Sequence, residues 1–262
     1  MIYFVTALDA EARPLIDHYR LKRDTTLPYT LYRDEEILLL VTGIGKTNAL
    51  MAVSAVLGYS LPCTGDILLN IGICGAPKEY EVGEALMVHK IIDNDRSYYP
   101  DMLYTHALRE TSLQCVDKPQ ESAHELPVDM ESAAVFQAAS RFLKLHQMGF
   151  LKIVSDHFEP EYVTKEGVQE LVRSHLPTID ELRQKLHSVG SVSPLFTPEE
   201  SIQITRFKTL FTKSQGDALN DALCYFRLTS PHKPLPIEYE SHPSSKRERN
   251  RLHERTLAAL YA

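Results

Sequence analysis

Carboxylates set beside small residues are where this chain could do chemistry. In Val128-Asp129-Met130-Glu131-Ser132-Ala133-Ala134-Val135, two acids flank a methionine just ahead of an apolar helical run that continues through Ala138, Ala139 and Phe142. Paired carboxylates are equipped for general acid or base work. The same pair at a helix start can do nothing more than answer the unpaired first-turn N–H groups and the positive end of the peptide dipoles. Three further places could join it. Glu11 follows the first apolar run, Gly43-Ile44-Gly45-Lys46-Thr47 joins another run to an apolar helix, and Ser155-Asp156-His157 ends a third. Gly-Lys-Thr is similar to the end of a P-loop, but that pattern needs a glycine five positions before Gly45, where Leu40 stands. The ATPase reading is rejected. A strand entering a helix through two glycines still offers a backbone-lined place for an anion or other ligand.

The elements that must position these residues follow from the apolar pattern. Residues 2–8, 66–72, 83–92 and 150–154 read as buried strands, and residues 29–33 and 37–42 as two strands joined by Asp34-Glu35-Glu36. A short strand is expected at residues 113–116, and a glycine-rich bend at Ile73-Cys74-Gly75-Ala76-Pro77. Asp9 can cap a first helix that carries Ala12, Leu15, Ile16 and Tyr19, with Pro14 tolerable only in its first turns. Further helices are expected at 49–59, from Met130 to about Leu145, and over 168–186 with Pro177 as a break. Strands alternating with helices, several of them continuous apolar runs, predict a three-layer α/β sandwich around a mixed, largely parallel sheet covered on both faces. In such sheets ligands bind beyond the carboxyl ends of the strands. Glu11, the Gly43–Gly45 turn, Gly72 and its successors, and Asp156 all fall there.

Composition changes near Ser188. Residues 1–188 form the expected α/β domain, and residues 189–262 a linker and a mainly helical extension. The extension holds helical segments near 199–213 and 217–228, a proline-bearing strap over 230–245 and a basic helix from Lys246 to Tyr261.

The order and spacing of four short motifs resemble the superfamily of purine nucleoside phosphorylases and methylthioadenosine/S-adenosylhomocysteine nucleosidases. They are Ala7-Leu8-Asp9-Ala10-Glu11, Thr42-Gly43-Ile44-Gly45-Lys46, Asn70-Ile71-Gly72-Ile73-Cys74-Gly75, and the pair Val128-Asp129-Met130-Glu131 and Val154-Ser155-Asp156-His157. The resemblance spans residues 1–188 and implies the phosphorylase-like fold. It implies that Asp156 is the acid facing the purine leaving group, that Glu131 holds the ribose hydroxyls and that Met130 packs on the sugar. It also puts Asp129, Gly72, Ile73 and Ser155 on the substrate, and gives Glu11 the task of orienting and deprotonating the attacking water. The phosphorylases' Arg-x-Gly-Ser turn reads Asn70-Ile71-Gly72-Ile73 here, without arginine or serine. A dianionic phosphate would be poorly held without such cations. Hydrolysis of the N-glycosidic bond of a purine nucleoside, or of one modified at the 5′ position, is therefore favoured over phosphorolysis. The segment 115–126, which would supply a ring to the base, contains no Phe, Tyr or Trp. A non-catalytic binder of nucleosides or of a protein partner is the alternative of another class. The resemblance calls for no cofactor and no metal, and implies a homo-oligomer, with a dimer favoured.

The net charge of −7 speaks against nucleic acid or an anionic membrane surface as the main partner. No apolar run approaches the ~20 residues of a membrane helix. Cys63, Cys74, Cys115 and Cys224 lack metal or redox spacing and suit free thiols. With no basic-then-apolar leader at its start, the chain is expected in the cytoplasm.

Overall fold

The structure, a computed structural model, describes residues 1–119, 124–190, 195–237 and 243–261. The chain divides into two compact units, Met1–Ser191 and Val192–Ala262.

The first unit is built on β1 (Ile2–Thr6), α1 (Asp9–Tyr19), β2 (Lys22–Asp24), β3 (Thr30–Arg33), β4 (Ile37–Val41), α2 (Lys46–Ser60) and β5 (Ile67–Gly75). It continues with β6 (Ala85–Asp93), β7 (Arg96–Tyr98), β8 (Arg109–Cys115), β9 (Val128–Asp129), α3 (Ser132–Ala139), β10 (Met148–Asp156), α4 (Lys165–Ser174) and α5 (Leu176–Gly190). The sheet is mixed. β4, β1, β5 and β10 run parallel at its centre, and antiparallel pairs β2–β3 and β3–β4 extend one edge. β10 also pairs with β6, β6 with β8, β8 with β9, and β9 with β5 at Gly75, so this end of the sheet closes on itself. The carboxyl ends of β1, β4, β5 and β10 gather around β9.

Both faces of the sheet are covered, which is why its central strands read as unbroken apolar runs. Tyr3, Val5, Leu38 and Leu40 pack towards α2 and α3, while Ile2, Phe4, Ile37 and Leu39 pack towards α1, α4 and α5.

Local structure departs from sequence expectation in ways that matter for the site. The cap of α1 is Leu8, not Asp9, and Glu11 reaches back to the amides of Ala7 and Leu8 instead. Pro14 is the sixth residue of that helix, within the first turns where it was expected, and it lies among the buried Ala12, Leu15 and Ile16. The bend expected after Gly72 is absent: β5 runs on to Gly75, held by β10 along that stretch. α3 is shorter than expected, because Met130 and Glu131 leave the helix to meet the sheet ends and the apolar run turns away after Ala139. The expected break near Pro177 falls at His175, with Pro177 inside the first turn of α5, where its missing N–H is not needed.

The second unit has its own core. α6 (Pro198–Lys208), α7 (Lys213–Thr229) and α8 (Lys246–Leu260) bury Ile204, Phe207, Leu219, Leu223, Phe226 and Leu252 together. Thr197, Thr212 and Ser245 cap the three helices. The expected linker and strap lie partly outside the described residues. Among the described residues no helix is long and apolar enough to cross a membrane.

Candidate active site

A cavity of about 310 Å³ opens where β1, β5, β9 and β10 end. Glu11, Asp129, Glu131 and Asp156 line it, and with them Ile73, Met130 and Ser155. The structure thus brings together every site residue inferred from the sequence except Gly72. That glycine is not on the cavity wall but behind it: a Cβ there would stand 3.0 Å from Glu11 Oε1 and 3.3 Å from Lys152 Nζ. Its function is to leave room for two charged groups.

Glu11 is 2% exposed and held by backbone amides. Oε2 accepts from Ala7 (2.8 Å) and Leu8 (2.9 Å), and Oε1 from Ile73 (2.9 Å). Those three bonds fill most of the roughly four lone-pair positions of a carboxylate and fix its plane. Burial holds the Glu11 carboxyl above the usual range, against the pull of those amides and of Lys152.

Glu131 precedes α3 and accepts from the Gly45 amide at 2.6 Å. Gly45 has φ of +95°, the left-handed side that glycine tolerates and that turns its N–H into the site. Burial first, and the neighbouring Asp129 second, push the Glu131 carboxyl up to about 7.

Asp129 is committed inwards. Its Oδ2 meets Lys152 Nζ at 2.9 Å and the Ser132 amide at 3.0 Å. It therefore satisfies the first amide of α3 and neutralises a buried lysine. Burial alone would push the Lys152 ammonium down, but Asp129, by charge and hydrogen bond, holds it above its ordinary value. Lys152 sits opposite Gly72 in the parallel β10–β5 pair. It escaped the sequence reading, although a lysine within Phe150-Leu151-Lys152-Ile153-Val154, a strand buried on both faces, is an anomaly that signals a buried partner.

Asp156 ends β10 and is half-buried. Ser155 Oγ lies 2.6 Å from its Oδ2 and 3.1 Å from the Cys74 carbonyl, and the Glu159 amide donates to its Oδ1 at 2.8 Å. His157 is structural, its Nδ1 lying 3.0 Å from the Ala76 carbonyl. Arg96 and Tyr98 form the β6–β7 hairpin and do not line the cavity. Leu8, Ile44, Val116 and Phe158, not singled out from sequence, do. Part of the segment 115–126 lies outside the described residues.

Neither family models nor curated proteins give a match to this chain. Solved structures do. The 5′-methylthioadenosine/S-adenosylhomocysteine nucleosidase of S. pneumoniae, solved with a transition-state inhibitor, is 19% identical, with a TM-score of 0.58 over 72% of this chain and 99% of that one. The 5′-methylthioadenosine nucleosidase of Arabidopsis thaliana is 22% identical, with a TM-score of 0.58 over 71% and 95%. That of Colwellia psychrerythraea, bound to adenine, is 16% identical, with a TM-score of 0.54 over 67% and 94%. Over 67% to 72% of its length the chain therefore shares the fold of these nucleosidases.

Proposed function

We propose that the chain is an N-ribosyl hydrolase that releases the free base from a purine nucleoside, or from one modified at its 5′ position. One observation carries the reading. Glu11, Glu131 and Asp156, from three separate parts of the sequence, converge on one cavity lined by four carboxylates and, among its described lining residues, by no Lys, Arg or His. Asp129 is paired with Lys152 and Asp156 carries the proton it gives, so the ionised carboxylates of Glu11 and Glu131 are the groups that repel a dianionic phosphate and favour the positive charge that develops on ribose as the glycosidic bond breaks. Glu131 accepts hydrogen bonds from the sugar hydroxyls, and Met130 packs on the ring. Glu11 takes a proton from water as its oxygen bonds to C1′, and Asp156 gives a proton to the purine as the C1′–N9 bond breaks. Ile73, in place of a hydroxyl residue, leaves the water to the Glu11 carboxylate. Leu8 and Ile44 suit an apolar 5′ substituent, and 5′-methylthioadenosine, the compound in the names of the nucleosidases above, is the first to try.

The test is incubation with purine nucleosides, 5′-thio forms included, with and without phosphate, followed by separation of products. Free base in phosphate-free buffer is expected, and Asp156→Asn should lower the rate by about two to four powers of ten. Base released only with phosphate would make the enzyme a phosphorylase; binding without turnover would make it a non-catalytic member of the fold. We also propose a homodimer, to be measured by sedimentation. α2 and the turn before it leave Ile44 55%, Leu50 42% and Met51 52% exposed, apolar side chains that a second copy would cover. Four free thiols suit the cytoplasm.

A further inference from the structure

The residue two places beyond Asp156 is built in an unusual way. Phe158 has φ of +66°, a strained conformation for a bulky side chain that persists only where its surroundings hold it. Asp156 closes this turn: its Oδ1 accepts the Glu159 amide at 2.8 Å across His157 and Phe158. The acid and the ring thus belong to a single closed turn. Gly75 makes room for the ring: a Cβ there would stand 3.3 Å from Phe158 Cδ1 and 3.4 Å from Asp156 Oδ1. Val116, Val128 and Met130 pack around it, and the His124 ring lies 5.7 Å away, centroid to centroid. Phe158 lines the cavity, and among the described lining residues it is the sole aromatic side chain.

A planar base set beside Asp156 must rest on something. An aromatic ring is the most effective and least base-selective platform for it, because every base presents a π-face. We infer that Phe158 is the base-stacking residue, and that its left-handed turn ties the ring to Asp156 so that the purine is stacked and offered to the acid together. The inference rests on the reading of the cavity as a purine nucleoside site. It adds that recognition of the base is supplied from the end of β10.

The full-length chain and three variants decide it: Phe158→Tyr, Phe158→Ala and Phe158→Gly. The readouts are binding of free adenine and hypoxanthine by calorimetry, kcat and KM on the nucleoside that the wild type cleaves, and thermal melting. Glycine relieves the strained backbone, so Phe158→Gly keeps its fold better than Phe158→Ala. Phe158→Tyr should retain base affinity. Alanine and glycine should both weaken it by about five- to 150-fold, the worth of one base-on-ring stack, with the loss appearing mainly in KM. Base affinity unchanged in Phe158→Gly, or lost equally in Phe158→Tyr, would make Phe158 a packing residue and overturn the inference while leaving the hydrolase intact. A wild-type chain that binds no purine and cleaves no nucleoside overturns both.

Discussion

At the scale of single residues, the site is a problem in burying charge. Asp129, Glu131, Glu11 and Lys152 share a space from which water is nearly excluded, with one cation among three carboxylates. Replacing Lys152 by Met leaves those acids uncompensated and should cost about 3–5 kcal/mol, read as a lower urea midpoint. Adding Asp129→Asn should restore part of it, and additive losses would show that the two do not act as a pair. Glu131 adds a pH dependence. In its proposed role as acceptor for the sugar hydroxyls it must be ionised, and its carboxyl stands at about 7. The Glu131 limb of the kcat/KM profile should therefore rise about tenfold per pH unit below that value, and Glu131→Gln should remove that limb. Stability runs the other way. A carboxyl held above its unfolded value stabilises the fold fully below the ordinary carboxylate range, and that contribution fades as pH rises through about 7. Glu131→Gln should flatten this dependence and raise the melting temperature at pH 8 while abolishing tight substrate binding. A melting curve with the wild-type pH dependence in that variant would contradict the assignment.

At the scale of elements, positions are set by what a strand pairing leaves out. β5 passes Gly72 directly opposite Lys152 of β10, on a sheet whose faces are both covered. Gly72→Ala places a methyl group against Glu11 and Lys152, and neither can retreat into solvent. Activity should fall by at least about tenfold, the effect of misplacing a catalytic group by a fraction of an ångström. The fold should survive, at a cost of about 1–3 kcal/mol. Circular dichroism and kinetics on the same preparation separate the two. The long strands were legible because burial on both faces makes them continuous apolar runs. β2 and β7 were not, since three-residue edge strands of polar residues such as Lys22-Arg23-Asp24 carry no such signal and form only because a neighbour offers free amides.

At the scale of the whole molecule, each of the two units buries apolar residues of its own, and every described residue lining the candidate site belongs to the first. A chain ending at Ser191 should melt cooperatively by itself and keep the proposed hydrolase activity at the level of the full-length protein. Loss of activity in a folded shortened chain would show that residues 192–262 complete the site. Calorimetry of the full chain should resolve two transitions, as expected when separate cores fail to unfold as one.

The sequence by itself determined the α/β class, the order of the central strands and helices along the chain, and the candidacy of Glu11, Glu131 and Asp156. Apolar periodicity is a local property, and acids at strand ends are visible wherever the strands are. Only the tertiary structure decided what each acid faces. Asp129 turned inwards to Lys152, Gly72 became space rather than contact, Glu11 instead of Asp9 answered the amides of α1, and Phe158 joined the cavity through a left-handed turn that no side-chain pattern announces. These outcomes depend on strand register and on which charges meet in the same buried volume. They are fixed by pairings such as Lys152 with Gly72, some eighty residues apart in the chain, and burial makes each such pairing matter more than the local preference of either partner.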